Sequence, residues 1–360
     1  MHIGLSITPF GHHPGARRTG RSAEAIDFTH LAAQVAKAQA GRLDFVLLAD
    51  RFGVRPVDDL SPEAVPFEPT TLAAALATVA RQIGMIATAA TNQHEPYNLA
   101  RRFASLDTIS KGRTGWNLVA SSESSQRDTE YVNVVTGLWD SWEGDAFIYD
   151  KTAGRFFVPE KMHVLNHKGE HFTVRGPLNV NRSPQGKPVI SHRLTPHTLD
   201  IAAKFAEVIF IAPRSLDEAR ALVTDFMQRL ARHGRERRGV RILADVIPYV
   251  GNTKSDAEQL RRELDSLVPD EERSMGFALF GTPGEIADSL QQWAMTGNVD
   301  GFRIQPPLVP ESLDAFVDLV IPELIARRVF RSFYDGQTLR DHLGLRAPEH
   351  PAGRAAGPSR

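Results

Sequence analysis

Histidines, hydroxyls and a single well-placed carboxylate make up most of the chemistry this chain can offer, and they fall where short apolar runs end. His12 and His13 follow the run 2–10. Asp50 closes "FVLLAD". Thr88 lies inside "IGMIATAAT", and Thr91 to His94 follow its end. Ser121 and Ser122 close "GWNLVASS", His192 and Arg193 end "PVISH", and Pro213-Arg214, Tyr249 and Gln305 sit at the ends of three later runs. These groups can hold a ligand and pass protons, with His12, His94 and His192 as the proton-transfer candidates. They do not assemble a familiar self-sufficient catalyst. Adjacent His12 and His13 in an extended chain point apart and do not readily chelate one ion. No G-x-S-x-G elbow supports a serine nucleophile. Asp50 has no evident second carboxyl opposite it, as glycoside hydrolysis requires. Cysteine is absent, which excludes disulfides, thiolate catalysis and Cys-ligated metal or iron–sulfur sites.

The bulk composition narrows the partners. Of 360 residues, 42 are Lys or Arg and 43 are Asp or Glu, a formal net charge of −1. No basic excess points to nucleic acid or to a membrane surface. No run of eighteen apolar residues suits a membrane span, and the first residues lack the basic and apolar regions of a secretory signal, so a cytoplasmic location is expected.

The apolar runs alternate with amphipathic stretches. Strands are predicted at 2–10, 45–50, 83–91, 115–122, 188–192, 207–213, 240–250 and 301–307. Helices are predicted at 22–42, 68–82, 97–110, 128–142, 197–206, 216–233, 255–267, 284–296 and 312–328. Capping boxes are expected at Ser215/Glu218, Ser255/Glu258 and Thr282/Glu285, the last with Pro283 at the first helical position. Eight βα units of this length close most naturally into a (β/α)₈ TIM barrel, with a doubly wound open sheet as the competing α/β fold. Residues 123–187 break the rhythm and read as an insertion after strand 4 within one domain spanning 1–345. The Pro-, Gly- and Ala-rich tail 346–360 is expected to be disordered. Trp116 reads as barrel packing ahead of a ligand plate.

The segment "ARRFASLDTISKGRTGWNLVAS" (100–121) resembles the signature of the bacterial luciferase-like flavin monooxygenases, in the branch that oxidises nitrilotriacetate, EDTA, dibenzothiophene sulfone and long-chain alkanes. Further matches run along the chain, among them "FGHHPGARR", "DFVLLAD", "EPTTLAAALA", "GLWDSWEGDA", "GTPGEIAD" and "TLRDHLGL". The resemblance implies a two-component monooxygenase. Reduced FMN, delivered by a separate NAD(P)H-dependent flavin reductase, activates O2 to oxygenate a small organic substrate, and the protein is a homodimer. By position, Asp50 and Thr88 match the family's flavin-contacting aspartate and threonine, and Asn117 belongs to the signature. Ser121 lies on the hydroxyl rim beyond the fourth strand.

Departures from the family pattern concentrate in loops. The long segment after the fourth strand, with its flavin-contacting histidine and tyrosine, is shortened. The family's Gln-Ala-Gly-x-Ser after the fifth strand is replaced by "SHRLTPHT". There Thr195 is the nearest substitute for the phosphate-binding serine, as an N-cap ahead of Pro196, with Arg193 adding positive charge. The excursion before "GTPGEIAD" is also cut. Two other readings therefore stay open: a non-catalytic flavin-binding subunit, and a flavin- or deazaflavin-dependent dehydrogenase on the same fold.

Overall fold

The computed structural model describes residues 1–19, 27–50, 67–121, 125–273 and 276–355. Eight parallel strands form the frame: β1 (His2–Ile7), β2 (Phe45–Leu48), β3 (Gly84–Ala90), β4 (Thr114–Val119), β5 (Val189–Arg193), β6 (Val208–Ile211), β7 (Arg241–Val250) and β8 (Gly301–Ile304). Each pairs with its sequence neighbour, and β8 pairs with β1, so the sheet closes. This is the expected barrel; the open sheet is excluded. Around it run α1 (Phe28–Ala40), α2 (Pro69–Val79), α3 (Pro96–Ile109), α4 (Ser125–Leu138), α5 (Leu199–Phe205), α6 (Leu216–Arg232), α7 (Lys254–Asp265) and α8 (Pro283–Met295). The expected helix at 312–328 is present as a composite whose middle turn, Phe316–Val320, is a π-helix. A short strand, Ala278–Gly281, pairs in parallel with the Ile247–Val250 end of β7. Among the described residues, no helix is long and apolar enough to cross a membrane.

Strand alternation divides the core in two. Ile3, Leu5, Val46, Met85, Trp116, Ile190 and Phe302 face the helices. Phe45, Leu47, Ile86, Val189, Val208, Phe210 and Leu243 fill the lumen at the N-terminal end of the strands. Leu339, Leu343 and Leu345 of the C-terminal segment enter the same cluster and plug that end. Gly4 is required there, since a Cβ at this position would lie 2.2 Å from the Phe45 ring.

The Lys-Gly-Arg sequence before β4 is a structural joint. Lys111 and Gly112 both take positive φ, 59° and 86°, and turn the chain out of α3. Arg113 is buried, and its guanidinium donates to the carbonyls of Ala80 (2.9 Å), Ile83 (2.8 Å) and Ser110 (2.7 Å). It thereby satisfies carbonyls just beyond α2 and α3 that have no helical partner. Trp116 is fully buried, donates from Nε1 to the Ala89 carbonyl, and packs on Phe103, Tyr131 and Trp139. Burying an aromatic of this size is worth on the order of 4–6 kcal/mol by area. The packing reading of Trp116 is the one the structure supports.

Two of the three expected capping boxes change. The box expected at Ser255 forms two residues earlier, between Thr253 and Asp256, because Thr253 has the extended backbone an N-cap needs. Ser215 caps α6, but Glu218 reaches past it to the Arg214 N–H. Thr282 and Glu285 form the expected box. The segment 123–187 carries α4 and two small hairpins, Phe147–Asp150 with Arg155–Phe157 and His167–Lys168 with Thr173–Val174. The first part of the tail makes contacts with the segment that follows α4. Arg182 bonds the Pro348 carbonyl, His350 bonds the Asp140 carbonyl, and Pro351–Ala355 forms a short helix. Local hydrogen bonding compensates there for the poor apolar content; residues 356–360 lie outside the described part.

Candidate active site at the barrel mouth

The apolar filling gives way to polar groups toward the C-terminal ends of the strands, where barrel enzymes place their chemistry. Thr88, Asn117 and Ser191 are register partners on β3, β4 and β5. Asn117 Nδ2 donates to Thr88 Oγ1 (3.0 Å), and Ser191 Oγ donates to Asn117 Oδ1 (3.2 Å). The chain of bonds fixes all three side chains along one wall.

Across the lumen, Asp245 on β7 and Arg303 on β8 face one another in register and form a buried two-pronged ion pair, 2.6 Å at each contact. Arg303 also lies over the Phe210 ring, 4.7 Å from its centre. Arg193, at the end of β5, approaches the same carboxylate at 3.9 Å and keeps its side chain 51% exposed. Two guanidiniums share one carboxylate, so this side of the mouth carries a net positive charge, and Arg193 is its exposed part. Such a group is suited to an anion.

His12 lies beside this cluster. Burial, reinforced by the Arg303 charge, pulls its pKa down to about 3. The ring is therefore neutral near pH 7. Nδ1 donates to the Pro306 carbonyl at 3.3 Å, which leaves the lone pair on Nε2, a buried atom with no hydrogen-bond partner. His13 turns the other way, with Nε2 against Asp265 on α7 and Nδ1 accepting from the Gly15 N–H.

The remaining candidates spread over the rim. Ser121 Oγ is buried and lacks a partner among the described residues, while its N–H donates to Thr91 Oγ1. Thr91 in turn donates to Asp128 on α4, tying the ends of β3 and β4 together. Asp50 lies two residues beyond β2, close enough to His94 for its charge to favour the protonated ring; residues 51–66 lie outside the described part. His94 sits in a groove between α2 and α3, next to Arg102, where burial is the main cause of a lowered pKa. His192 alternates onto the outer, Ile190 face of β5, where Nδ1 donates to the Leu118 carbonyl and burial lowers its pKa. It is thus separated from the lumen.

Thr195 needs correction as a helix cap. Its N–H and hydroxyl both bond the Thr198 hydroxyl, closing a turn, and α5 begins only at Leu199 with Thr198 at the N-cap position. Pro196 is therefore in the turn and not at the first helical position.

Ser191, Asp245 and Arg303 were missed by reading strand ends alone. A usable signal existed for two of them. A charge inside an otherwise apolar strand, as in "ILADVIPYV" and "GFRIQPP", requires a buried partner.

A closed barrel with a plugged base and a polar, partly cationic mouth is the architecture of a barrel enzyme. Residues 5–269 match the family described as luciferase-like monooxygenase, and the chain belongs to that family of flavin-dependent oxidoreductases. It is 36% identical to nitrilotriacetate monooxygenase component A of Aminobacter aminovorans and 37% identical to N-acetyl-S-(2-succino)cysteine monooxygenase of Bacillus subtilis (strain 168), covering 97% of each chain in both cases. The solved EDTA monooxygenase of Chelativorans sp. BNC1 superposes with a TM-score of 0.84 at 29% identity, covering 96% of this chain and 98% of the other. The alignment with the nitrilotriacetate enzyme spans 441 positions, more than the 360 residues here, so that relative carries segments this chain lacks.

Proposed function

We propose that this chain is the oxygenase of a two-component system that uses reduced FMN from a separate NAD(P)H:flavin reductase, with O2 as co-substrate, to oxygenate a small organic molecule. The observation that carries the reading is the polar mouth, with its hydrogen-bonded wall, its exposed Arg193 and the unpartnered atoms Ser121 Oγ and His12 Nε2. Buried polar atoms without partners are disfavoured unless a ligand satisfies them. This donor and acceptor set fits a flavin: Thr88, Asn117, Ser121 and Asp50 offer hydrogen bonds to a polar ring and ribityl chain, and Arg193 offers its charge to a phosphate.

Reduced flavin supplies the electrons that allow one atom of O2 to enter the substrate while the other leaves as water. The protein's part is binding, orientation and exclusion of water. Asp245 holds Arg193 and Arg303 at the mouth. His12, neutral and a weak base, serves as a hydrogen-bond acceptor through Nε2. Thr195, paired to Thr198, contributes the second hydroxyl of the turn after β5 near the phosphate position.

The test is an anaerobic titration of the purified chain with reduced FMN, followed by absorbance and fluorescence. Micromolar or tighter binding, weakened in Arg193→Met and Asp50→Ala, is expected. Absence of binding in either redox state would overturn the reading. The shortened loops favour a second one, in which the chain serves as a non-catalytic subunit beside a catalytic homologue; oxygenation by the isolated chain would remove it. A homodimer is proposed on the family resemblance, and sedimentation checks it.

A further inference from the structure

At the opposite, plugged end of the barrel, two histidines and a glutamate from distant parts of the chain converge. An isolated antiparallel bridge pairs Trp142 with Met162, flanked by bonds from the Glu143 N–H to the Lys161 carbonyl and from the His163 N–H to the Ser141 carbonyl. Trp142 is buried, so alternation sends both Glu143 and His163 to the other face. There a Glu143 oxygen meets His163 Nε2 at 2.9 Å. His350, from the C-terminal segment, brings its ring to 4.8 Å from the His163 ring. One ligand atom from each of the three lies within 4.8 Å of the others, and all three residues are half-buried.

We propose that Glu143, His163 and His350 form a binding site for a divalent transition cation of the Zn2+ class, which fastens the C-terminal segment to the segment following α4. Two imidazoles and one carboxylate are a ligand set suited to Zn2+, with the remaining position left to water. Nitrogen donors favour Zn2+, Cu2+ or Ni2+ over Mg2+ and Ca2+, which take oxygen. Bonds of about 2.0–2.1 Å hold tetrahedral ligand atoms roughly 3.3 Å apart, so the three ligand atoms, now within 4.8 Å of one another, must draw together to close on an ion.

The support around the cluster is already in place. His350 Nε2 donates to the Asp140 carbonyl and Nδ1 accepts from the Ala352 N–H. One of these contacts orients the ring while the other gives way to the metal, as ligating histidines commonly hold a backbone carbonyl with their second nitrogen. Arg182 bonds both the Asp140 carboxylate and the Pro348 carbonyl, fixing the segment that presents His350. The site lies away from the barrel mouth, so its occupation bears on the order of the C-terminal segment and not on the flavin site.

Calorimetric titration of the full chain with ZnCl2 near neutral pH tests this, paired with hydrogen exchange. About one equivalent binds saturably, and exchange slows across 346–353. His163→Ala and His350→Ala each weaken binding by about tenfold or more and abolish the slowing, while their unfolding midpoints in chelator stay near that of the unaltered chain. Glu143→Gln gives a smaller loss, and Mg2+ gives no slowing. Absence of saturable binding would overturn the proposal, as would a Zn2+ affinity in all three variants equal to that of the unaltered chain, or an equal response to Mg2+. Should one alanine variant fail to fold, His163→Gln and His350→Gln read the same outcome.

Discussion

The two ends of the barrel are built to different rules. At the base, charged groups are buried but densely partnered. Asp44 accepts from the Ile3 N–H and pairs with His2 and Arg331, and its carboxyl is held below its usual range despite full burial. Arg340, almost wholly buried, grips Glu207 with two nitrogens and also donates to the Lys187 and Arg346 carbonyls. At the mouth, Asp245 must serve two guanidiniums, and Ser121 Oγ and His12 Nε2 have no partner among the described residues. The base uses its charged groups for its own stability, with the buried His342 ring as its exception among the described residues, and the mouth leaves Ser121 Oγ and His12 Nε2 for a ligand. Substitutions at the two ends should therefore fail in different assays.

The largest effect is expected at the base. Arg340→Ala strands a partly buried Glu207 and should lower stability by about 3–5 kcal/mol, as breaking a buried pair does. Urea unfolding checks it; a loss within the range of an ordinary surface change would erase the contrast between the ends.

Next comes a pH effect at Asp107, near the base. Burial pushes its carboxyl up to about 6, against the donors from Ser183, the Thr114 N–H and Gln185. A pKa raised on folding stabilises the protein below the unfolded value and loses that contribution as pH rises through the folded one. Relative to Asp107→Asn, the wild-type chain should lose up to about 3 kcal/mol between roughly pH 4 and pH 6. A difference independent of pH over that window would refute it.

At the mouth, Arg193→Met should weaken reduced FMN by about tenfold, the value of one charge-assisted contact, while changing stability by less than about 0.5 kcal/mol. Riboflavin, which lacks the phosphate, should bind both proteins alike. An equal loss for riboflavin would move Arg193 away from the phosphate. The smallest effect is expected from Thr88→Val, which breaks the Thr88–Asn117 bond and should cost about 1 kcal/mol in stability with a few-fold loss of flavin affinity. Loss of stability with no change in flavin affinity would make that wall structural.

Legibility followed the range of the interactions involved. The strands, the helices and the Thr282 cap rest on neighbours within one or two turns, and periodicity reveals them. Thr88 and Arg193 stood out because they lie in or end a strand of a recognisable βα unit, whereas Asn117, and the flavin contact expected of Thr88, came from the resemblance to the family signature. Thr195 could not be placed, because whether a helix starts at residue 196 or 199 turns on one hydroxyl pair between Thr195 and Thr198.

By itself the sequence determined an eight-strand α/β chain without thiol chemistry, the family to which it belongs, and the strands whose ends face the mouth. Only the tertiary structure decided that Asp245 pairs with Arg303, that His12 is neutral beside them, that His192 faces outward, and that residues 346–355 fold back on the base. Each of those depends on which faces of distant strands meet when the barrel closes, and on the low-dielectric surroundings that closure creates. Neither is encoded in any local run of residues.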